Sequence, residues 1–454
     1  MTDDAEIPAL VPDGAGHSFV LYGDACSGVP GAPHEATHRA VNAVVARLRP
    51  APEFIVFPGD EIIGLTDDMD ALRAQWRHWL DHEMAWLDRA RCPVYHATGN
   101  HTTYSAESEA VFAEMLPHLP RNGPEGQAGL SYVVRRGDLV MVFVHTLDSG
   151  LGGEGHLDTG WVARALAEHD DARWKFVIGH HPALTVNGFA GAYARTIGPD
   201  YVEPFWRILR DAGVTAYLCS HILAFDVQAR EGVLQITTAG AGTAHRMPEG
   251  IEYLHAVQVA LDAGGMRYQV LDTEGAVRER LAWPLAGPDG WTPLVEGAQA
   301  APISGPCDAA ADPPRMMHLR LRGEVTPDAG PARQTLLAAS DGAGWDPLWI
   351  GLTGASRRLT ITLQPQAGRS PHYWFGPDLE GAFDLTLALH GGMGPGGILW
   401  RQGEGAWSSC VSAASWGLER LDWPATWHLG ARPGGREPFR GTGLGIAHSG
   451  AGAA

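Results

Sequence analysis

Lysine is almost missing from this chain. Of 33 cationic side chains only Lys175 is a lysine, and they face 52 carboxylates, for a formal net charge of −19. Charge of that sign excludes nucleic-acid or anionic-membrane binding by general electrostatics. It leaves a phosphate substrate open, because bound cations reverse the field locally. The arginine bias accompanies abundant Ala and Gly and reads as codon usage rather than arginine chemistry. Cysteine is scarce as well: Cys26, Cys92, Cys219, Cys307 and Cys410 are odd in number and follow no spacing pattern. They fit reduced thiols and exclude a disulfide framework. No apolar run is long enough to cross a bilayer. Met1-Thr2-Asp3-Asp4-Ala5-Glu6 is acidic and lacks the apolar stretch of a secretory signal, so a cytoplasmic location is expected. At 454 residues the chain exceeds one ordinary core, and two domains are expected.

Five short fragments carry the chemistry. They are Gly23-Asp24-Ala25-Cys26, Gly59-Asp60-Glu61, Gly99-Asn100-His101, Gly179-His180-His181-Pro182 and Cys219-Ser220-His221-Ile222-Leu223. Each follows an apolar run that reads as a buried strand: Phe19–Tyr22, Phe54–Phe57, Val94–Ala97, Phe176–Ile178 and Thr215–Leu218. Open α/β sheets gather polar groups in this way, at the carboxyl ends of their strands. Asp, Asn and His together form an oxygen/nitrogen donor set suited to zinc, manganese or iron.

The order and spacing of these fragments resemble the calcineurin-like metallophosphoesterases, which include the purple acid phosphatases, over residues 17–284. The resemblance implies a two-sheet α/β/β/α sandwich and a two-metal site bridged by Asp60. One metal keeps every family ligand: Asp60, Asn100, His180 and His221. The other keeps Asp24 and the bridge Asp60, but Cys26 and Leu223 stand where the family has histidines. Ile63 stands where purple acid phosphatases place a tyrosine. Cys26 reads either as a thiolate ligand or as a small residue packed under a turn. A single ion on Asp60, Asn100, His180 and His221 is the expected arrangement, with a second ion left open; a fold that has lost its metals is the alternative that Leu223 raises. By the same resemblance His101 stabilises or protonates the leaving oxygen, and Asp24 orients water or holds a weaker ion.

Other histidines read more plainly. His181 is expected to support the site without ligating, His145 to be a satisfied core residue, and His245 to lie in an ordinary loop.

Along the chain, helices are expected over His34–Leu48, Asp67–Arg91, Trp161–His169 and Tyr201–Ala212, with a hairpin of Leu130–Val134 and Leu139–Val144 turning at Arg136-Gly137-Asp138. Val233–Thr238, Ala256–Leu261 and Arg267–Leu271 read as consecutive strands. Ser105–Gly129 and Val186–Tyr201 read as loops that shape a substrate site. A Gly/Pro/Ala-rich linker is expected at 285–313. Beyond it, residues 314–454 read as an all-β jelly-roll-like sandwich of short strands, a pattern that resembles concanavalin-A-like or laminin-G-like domains. Ten of the 16 tryptophans fall after residue 282. Packing, oligomer contact or covering of an active site is expected of them, with glycan binding as the alternative.

The expected function is metal-dependent hydrolysis of a small-molecule phosphate ester, with no nucleic-acid or membrane partner. The alternative is a non-catalytic pseudoenzyme that binds a glycan or a protein through its C-terminal sandwich.

Overall fold

The computed structural model describes residues 5–189, 195–243, 250–297, 314–326, 330–418 and 425–449. His245, Cys307, Trp423, most of the stretch expected as a linker and part of the Val186–Tyr201 stretch lie outside them. The chain divides into two compact units, the first running to Pro284 apart from a short stretch from Asn187 and Gln228–Gly232, which group with the second.

The first unit is built on strands of continuous apolar sequence. In chain order its elements are β1 (His17–Leu21), α1 (Pro33–Ala46), β2 (Phe54–Phe57), α2 (Met69–His78), β3 (Val94–His96), α3 (Ala106–Met115), β4 (Tyr132–Arg136), β5 (Leu139–Phe143), α4 (Thr159–Glu168), β6 (Trp174–Ile178), α5 (Pro199–Asp211), β7 (Ala216–Cys219), β8 (Phe225–Arg230), β9 (Val233–Thr238), β10 (His255–Asp262), β11 (Gly265–Asp272) and β12 (Val277–Trp283). Two six-stranded sheets result, in the orders β12-β11-β10-β1-β2-β3 and β8-β9-β7-β6-β5-β4. The site-bearing strands run parallel in both: β1 with β2 and β2 with β3 in one, β5, β6, β7 and β9 in the other. Parallel strands are covered on both faces, so they read as unbroken apolar runs; Phe54-Ile55-Val56-Phe57 is wholly buried.

Aromatic rings join the sheets. Phe19 of β1 stacks on Phe54 at 4.9 Å and meets the edge of Phe176, on the other sheet, at 5.8 Å. Each such buried ring contributes about 1.5–3 kcal/mol relative to exposure. Helices cover the outer faces. Trp76 and Trp79 pack on His96 and Phe57 of the first sheet. On the second, α4 and α5 bury Trp161, Leu166, Phe205 and Trp206 against Val140, Val177 and Tyr217. The layers are therefore helix, sheet, sheet, helix.

Two expectations are corrected here. The helix expected over Asp67–Arg91 begins under Asp68, whose Oδ1 accepts from the Asp70 and Ala71 amides at 2.9 and 3.0 Å, but it ends early. Trp79–Glu83 widens into a π turn in which the Met84 amide reaches the Trp79 carbonyl at 2.9 Å, and the helix stops there. The widened turn brings Glu83 to the loop after β1, where its Oε1 accepts from Ser27 Oγ and the Gly28 amide, both at 2.8 Å. The stretch 105–129, expected as a loop, contains α3. Its start is fixed by a reciprocal cap in which Ser105 Oγ accepts from the Ser108 amide and Ser108 Oγ from the Ser105 amide.

The second unit is β-rich. Its longer strands are β13 (Met316–Val325), β14 (Gln334–Ser340), β15 (Leu348–Thr353), β16 (Arg358–Leu363), β17 (His372–Asp378), β18 (Ala382–His390), β19 (Ile398–Gln402), β20 (Thr426–Leu429) and β21 (Gly441–Ser449). They form two further six-stranded sheets, one centred on β21-β13-β18-β19, the other on β17-β16-β15-β14-β20. Thr292–Pro293, inside the stretch expected as a linker, pairs with β21. Leu319, Leu321 and Leu387 from one sheet share a hydrophobic core with Leu336, Ile350 and Ile361 from the other. Trp349, Trp374 and Trp427 lie in the interior without exposure. Trp345 and Trp400 are half-buried. Cys26, Cys92, Cys219 and Cys410 are buried free thiols.

Candidate metal centre

All five fragments meet at one rim of the first unit, each just beyond the carboxyl end of a parallel strand. Asp24 follows β1, Asp60 follows β2, Asn100 and His101 follow β3, His180 follows β6 and His221 follows β7. The chain turns sharply to present them. Asp24, Cys26, Asp60 and His221 have φ of 60°, 42°, 60° and 68°, a left-handed conformation that costs a non-glycine residue of order 1–3 kcal/mol. Surrounding bonds hold it. The Asp24 amide donates to the Gly59 carbonyl at 3.1 Å, the Cys26 amide to the Asp60 carbonyl at 2.8 Å, and the Ser220 amide to the His180 carbonyl at 2.9 Å. The preceding glycines are steric necessities. A Cβ on Gly23 would lie 2.6 Å from Ser220 Oγ, and one on Gly59 would lie 2.6 Å from the Thr98 carbonyl oxygen.

At the rim four electron-pair donors converge. His180 Nδ1 is bonded to the Pro58 carbonyl at 2.9 Å, so it carries the proton and donates. His180 Nε2 therefore turns inward, 3.0 Å from Asn100 Oδ1 and 3.2 Å from Asp60 Oδ2. His221 Nδ1 joins them, 2.8 Å from Asn100 Oδ1 and 3.1 Å from His180 Nε2. Lone pairs crowded in this way are relieved by a cation between them or by a proton on one of the ring nitrogens. Burial works against a charged His180, yet Asp60 and Asp24 more than offset it and raise its pKa to about 9. Asp60 is also held charged: burial pushes its carboxyl up, but His180 and His101 bring it below its ordinary value. His221 is kept neutral, pushed well down first by burial and then by His181 and His180. Two neutral-capable imidazoles, a carboxylate and an amide oxygen fit a divalent cation of the zinc, manganese or iron kind.

Residues 18–225 match the family model described as calcineurin-like phosphoesterase. This segment is a calcineurin-like metallophosphoesterase domain. No curated protein matches the chain. Among solved structures, the chain is similar to a purple acid phosphatase from yellow lupin (Lupinus luteus), at 14% identity and a TM-score of 0.45 over 60% of this chain and 55% of that one. It is similar to a dimetal phosphatase from Danio rerio, at 15% and 0.40 over 57% and 96%. It is also similar to GAP50, the anchor in the inner membrane complex of Plasmodium, at 14% and 0.39 over 60% and 90%. The match spans about half of the lupin enzyme. Likeness at these values bears on neither activity nor substrate.

The other half of the phosphoesterase rim is different in kind. Cys26 Sγ, an Asp60 oxygen and a His101 nitrogen lie within 4.8 Å of one another. Burial, then Asp60 and Asp24, push the Cys26 thiol well up. Leu223 and Ile63 are half-buried apolar side chains that offer no ligand atom. Asp24 is tied into the loop after β7: its Oδ2 accepts from the His221 amide at 2.8 Å and from Ser220 Oγ. Burial pushes its carboxyl up; His180 opposes that and Asp60 adds to it. His101 is anchored through its amide to Asp60 Oδ1 at 2.8 Å and through Nδ1 to the Ile63 carbonyl at 2.7 Å.

The remaining histidines fall outside the donor set. His181 is buried beside it, with Nδ1 3.0 Å from Thr146 Oγ1. Burial, above all, lowers it to about 4. His145 is a buried histidine bonded to Thr98 Oγ1 at 2.7 Å and facing Glu109 at 3.3 Å. Two contributors escaped the sequence reading. Ser220 sits inside a fragment already singled out, and only its bond to Asp24 distinguishes it. Glu154 lies in Gly152-Gly153-Glu154-Gly155, where a carboxylate flanked by glycines was the available signal.

Proposed function

We propose that the first unit hydrolyses a phosphate ester with one metal ion held by Asp60, Asn100, His180 and His221. The observation that carries this reading is the approach of His221 Nδ1, Asp60 Oδ2 and Asn100 Oδ1 to within 3.2 Å of His180 Nε2, with His221 Nδ1 also 2.8 Å from Asn100 Oδ1. An ion bound there would polarise a phosphoryl oxygen and lower the pKa of a water molecule. The protein's own groups do the rest. Asp60 stays ionised and contributes the negative charge of the cradle. Asn100 and the two imidazoles add neutral donors, so the site keeps a net positive field once loaded, suited to an anionic ester. His101 has Nδ1 donating to the Ile63 carbonyl, so its other ring nitrogen would give a proton to the departing oxygen only when the ring carries protons on both nitrogens. Asp24 braces His221 through its backbone amide and has one oxygen left to orient water.

We read residues 17–284 as this domain, 285–313 as a linker in which Thr292–Pro293 pairs with β21, and 314–454 as a concanavalin-A/laminin-G-like jelly roll, in a cytoplasmic protein. Leu223 and Ile63, apolar where the family ligates, favour a second reading: a pseudoenzyme whose C-terminal unit binds a glycan or a protein partner.

Elemental mass spectrometry of tag-free protein, purified without added metal, separates the two. About one ion per chain, lost in His180→Ala and Asn100→Ala together with phosphate-ester hydrolysis, supports the hydrolase. No ion, even after soaking in zinc, manganese and iron, sinks it.

A further inference from the structure

His221 has two ring nitrogens and each faces a different group. Nδ1 points into the donor set, 2.8 Å from Asn100 Oδ1. Nε2 is buried, has no hydrogen-bond partner among the described residues, and lies 3.7 Å from Glu154 Oε1. The same carboxylate oxygen lies 3.3 Å from Nε2 of His181, whose ring packs against that of His221 at 4.2 Å between centroids. His181 is itself fixed, through Nδ1 to Thr146 and through its carbonyl, which accepts from Tyr217 Oη at 2.6 Å. One carboxylate thus addresses two neighbouring imidazoles from outside the donor set.

Its position is built into the backbone. Gly152, Gly153 and Gly155 have φ of 129°, 87° and 84°, values open to glycine and strained for other residues. The Asp148 carbonyl accepts from the amides of Leu151, Gly152 and Gly153 at 3.0, 3.1 and 2.8 Å, and the Gly155 amide donates to the Thr146 carbonyl at 2.9 Å. The turn therefore holds Glu154 over the ends of β6 and β7.

We propose that Glu154 is a positioning residue for the metal centre: its carboxylate receives the Nε2–H of His221 and so keeps the lone pair on Nδ1, facing the ion. The inference rests on the metal reading of the site. A neutral imidazole carries its proton on one nitrogen, and a carboxylate behind the ring selects which. An advance of the carboxylate by roughly 1 Å brings it to ordinary hydrogen-bond distance. His181 shares the same oxygen and keeps the carboxylate from swinging into solvent.

The test uses the full chain, with histidine ring nitrogens labelled for NMR and zinc affinity measured by competition with a chelator. In the wild type the His221 ring is expected as the Nε2–H form and zinc is bound tightly. Glu154→Ala is expected to weaken zinc binding about 10–100-fold and to shift His221 towards the other tautomer. Glu154→Gln, which keeps an accepting oxygen, is expected to retain the tautomer and most of the affinity. Unchanged affinity and tautomer in Glu154→Ala, with a wild type that binds zinc, overturn this inference alone. So does equal weakening in both variants with the tautomer unmoved, which would mark a purely electrostatic effect. A wild type that binds no zinc overturns the metal reading and this inference together.

Discussion

Gly59→Ala asks whether the rim is as tightly determined as its geometry implies. Gly59 has φ of 100°, and an added methyl carbon would lie 2.6 Å from the Thr98 carbonyl oxygen and 2.7 Å from His180 Nδ1. Neither neighbour can retreat cheaply. Thr98 is bound through Oγ1 to His145 at 2.7 Å, and His180 Nδ1 donates to the Pro58 carbonyl at 2.9 Å. Alanine in that backbone conformation costs about 1–3 kcal/mol, and the overpacking adds about 1–3 kcal/mol. Gly137→Ala is the control: φ is 62° and nothing lies within 4 Å of the added carbon, so only the backbone cost applies. By calorimetry, Gly59→Ala is expected to melt lower than Gly137→Ala by roughly 2–12 °C, the crowding cost converted at the usual rate for a domain of this size. Its zinc affinity is expected to fall about tenfold or more, because the clash displaces a ligand. Equal melting of the two variants, or unaltered zinc binding in Gly59→Ala, would refute the claim that steric closure at Gly59 fixes His180.

Cys26→Ser is expected to leave about one ion per chain by elemental mass spectrometry; a drop would show that the thiol ligates. Asp384 is held below the ordinary carboxylate range by Arg320, which pairs with it at 2.8 and 2.7 Å, and by Arg322. A depressed folded pKa gives stability that is present above the unfolded value and lost as pH falls through the folded one. Asp384→Asn is therefore expected to cost at neutral pH, and to match the wild type in strong acid; with the carboxylate 36% exposed the cost stays below about 1 kcal/mol. A larger cost, or one that persists in acid, would refute the ion-pair account. Trp374 is fully buried, donates to the Pro395 carbonyl at 2.8 Å and meets Trp416 edge-on at 5.6 Å. Trp374→Ala is expected to cost about 3–5 kcal/mol in urea unfolding, and wild-type stability there would refute its place in the core.

What was legible in the sequence follows from how local each signal is. Val233–Thr238 begins and ends where the apolar pattern says it does, because a short buried strand is bounded by glycine and turn residues. The overrun of the helix after Asp67 has the opposite cause. Trp76, Trp79 and Leu80 keep a helical stripe, but the π turn at Trp79–Glu83 inserts one residue per turn and changes the register. Periodicity cannot see that. The helix Ala106–Met115 was hidden because its apolar face rests on Val111 and Phe112, while a pair of serines, rather than Ser and Glu, closes its first turn. The candidate donor set was legible because each residue is local to the end of an apolar strand, marked by a glycine before Asp60, Asn100 and His180. Glu154 was not, since its approach to His181 and His221 exists only once a glycine turn folds over two strands distant in sequence.

The two aspartates show how far the same pattern can diverge in role. Both follow a glycine, both stand at the end of a parallel strand, and both have φ of 60°. Asp60 has Oδ1 against the His101 amide and Oδ2 turned to His180 at 3.2 Å, and cationic neighbours keep it ionised. Asp24 has Oδ2 committed to the His221 amide and Ser220, and burial favours its neutral form. A second ion would need Asp24 as a charged ligand, together with donors that Leu223 and Ile63 do not supply. The residues on that side instead make Asp24 a tie that fixes the loop carrying His221. Under the single-ion reading proposed above, Asp24 would serve that ion by holding the loop that carries His221 in place.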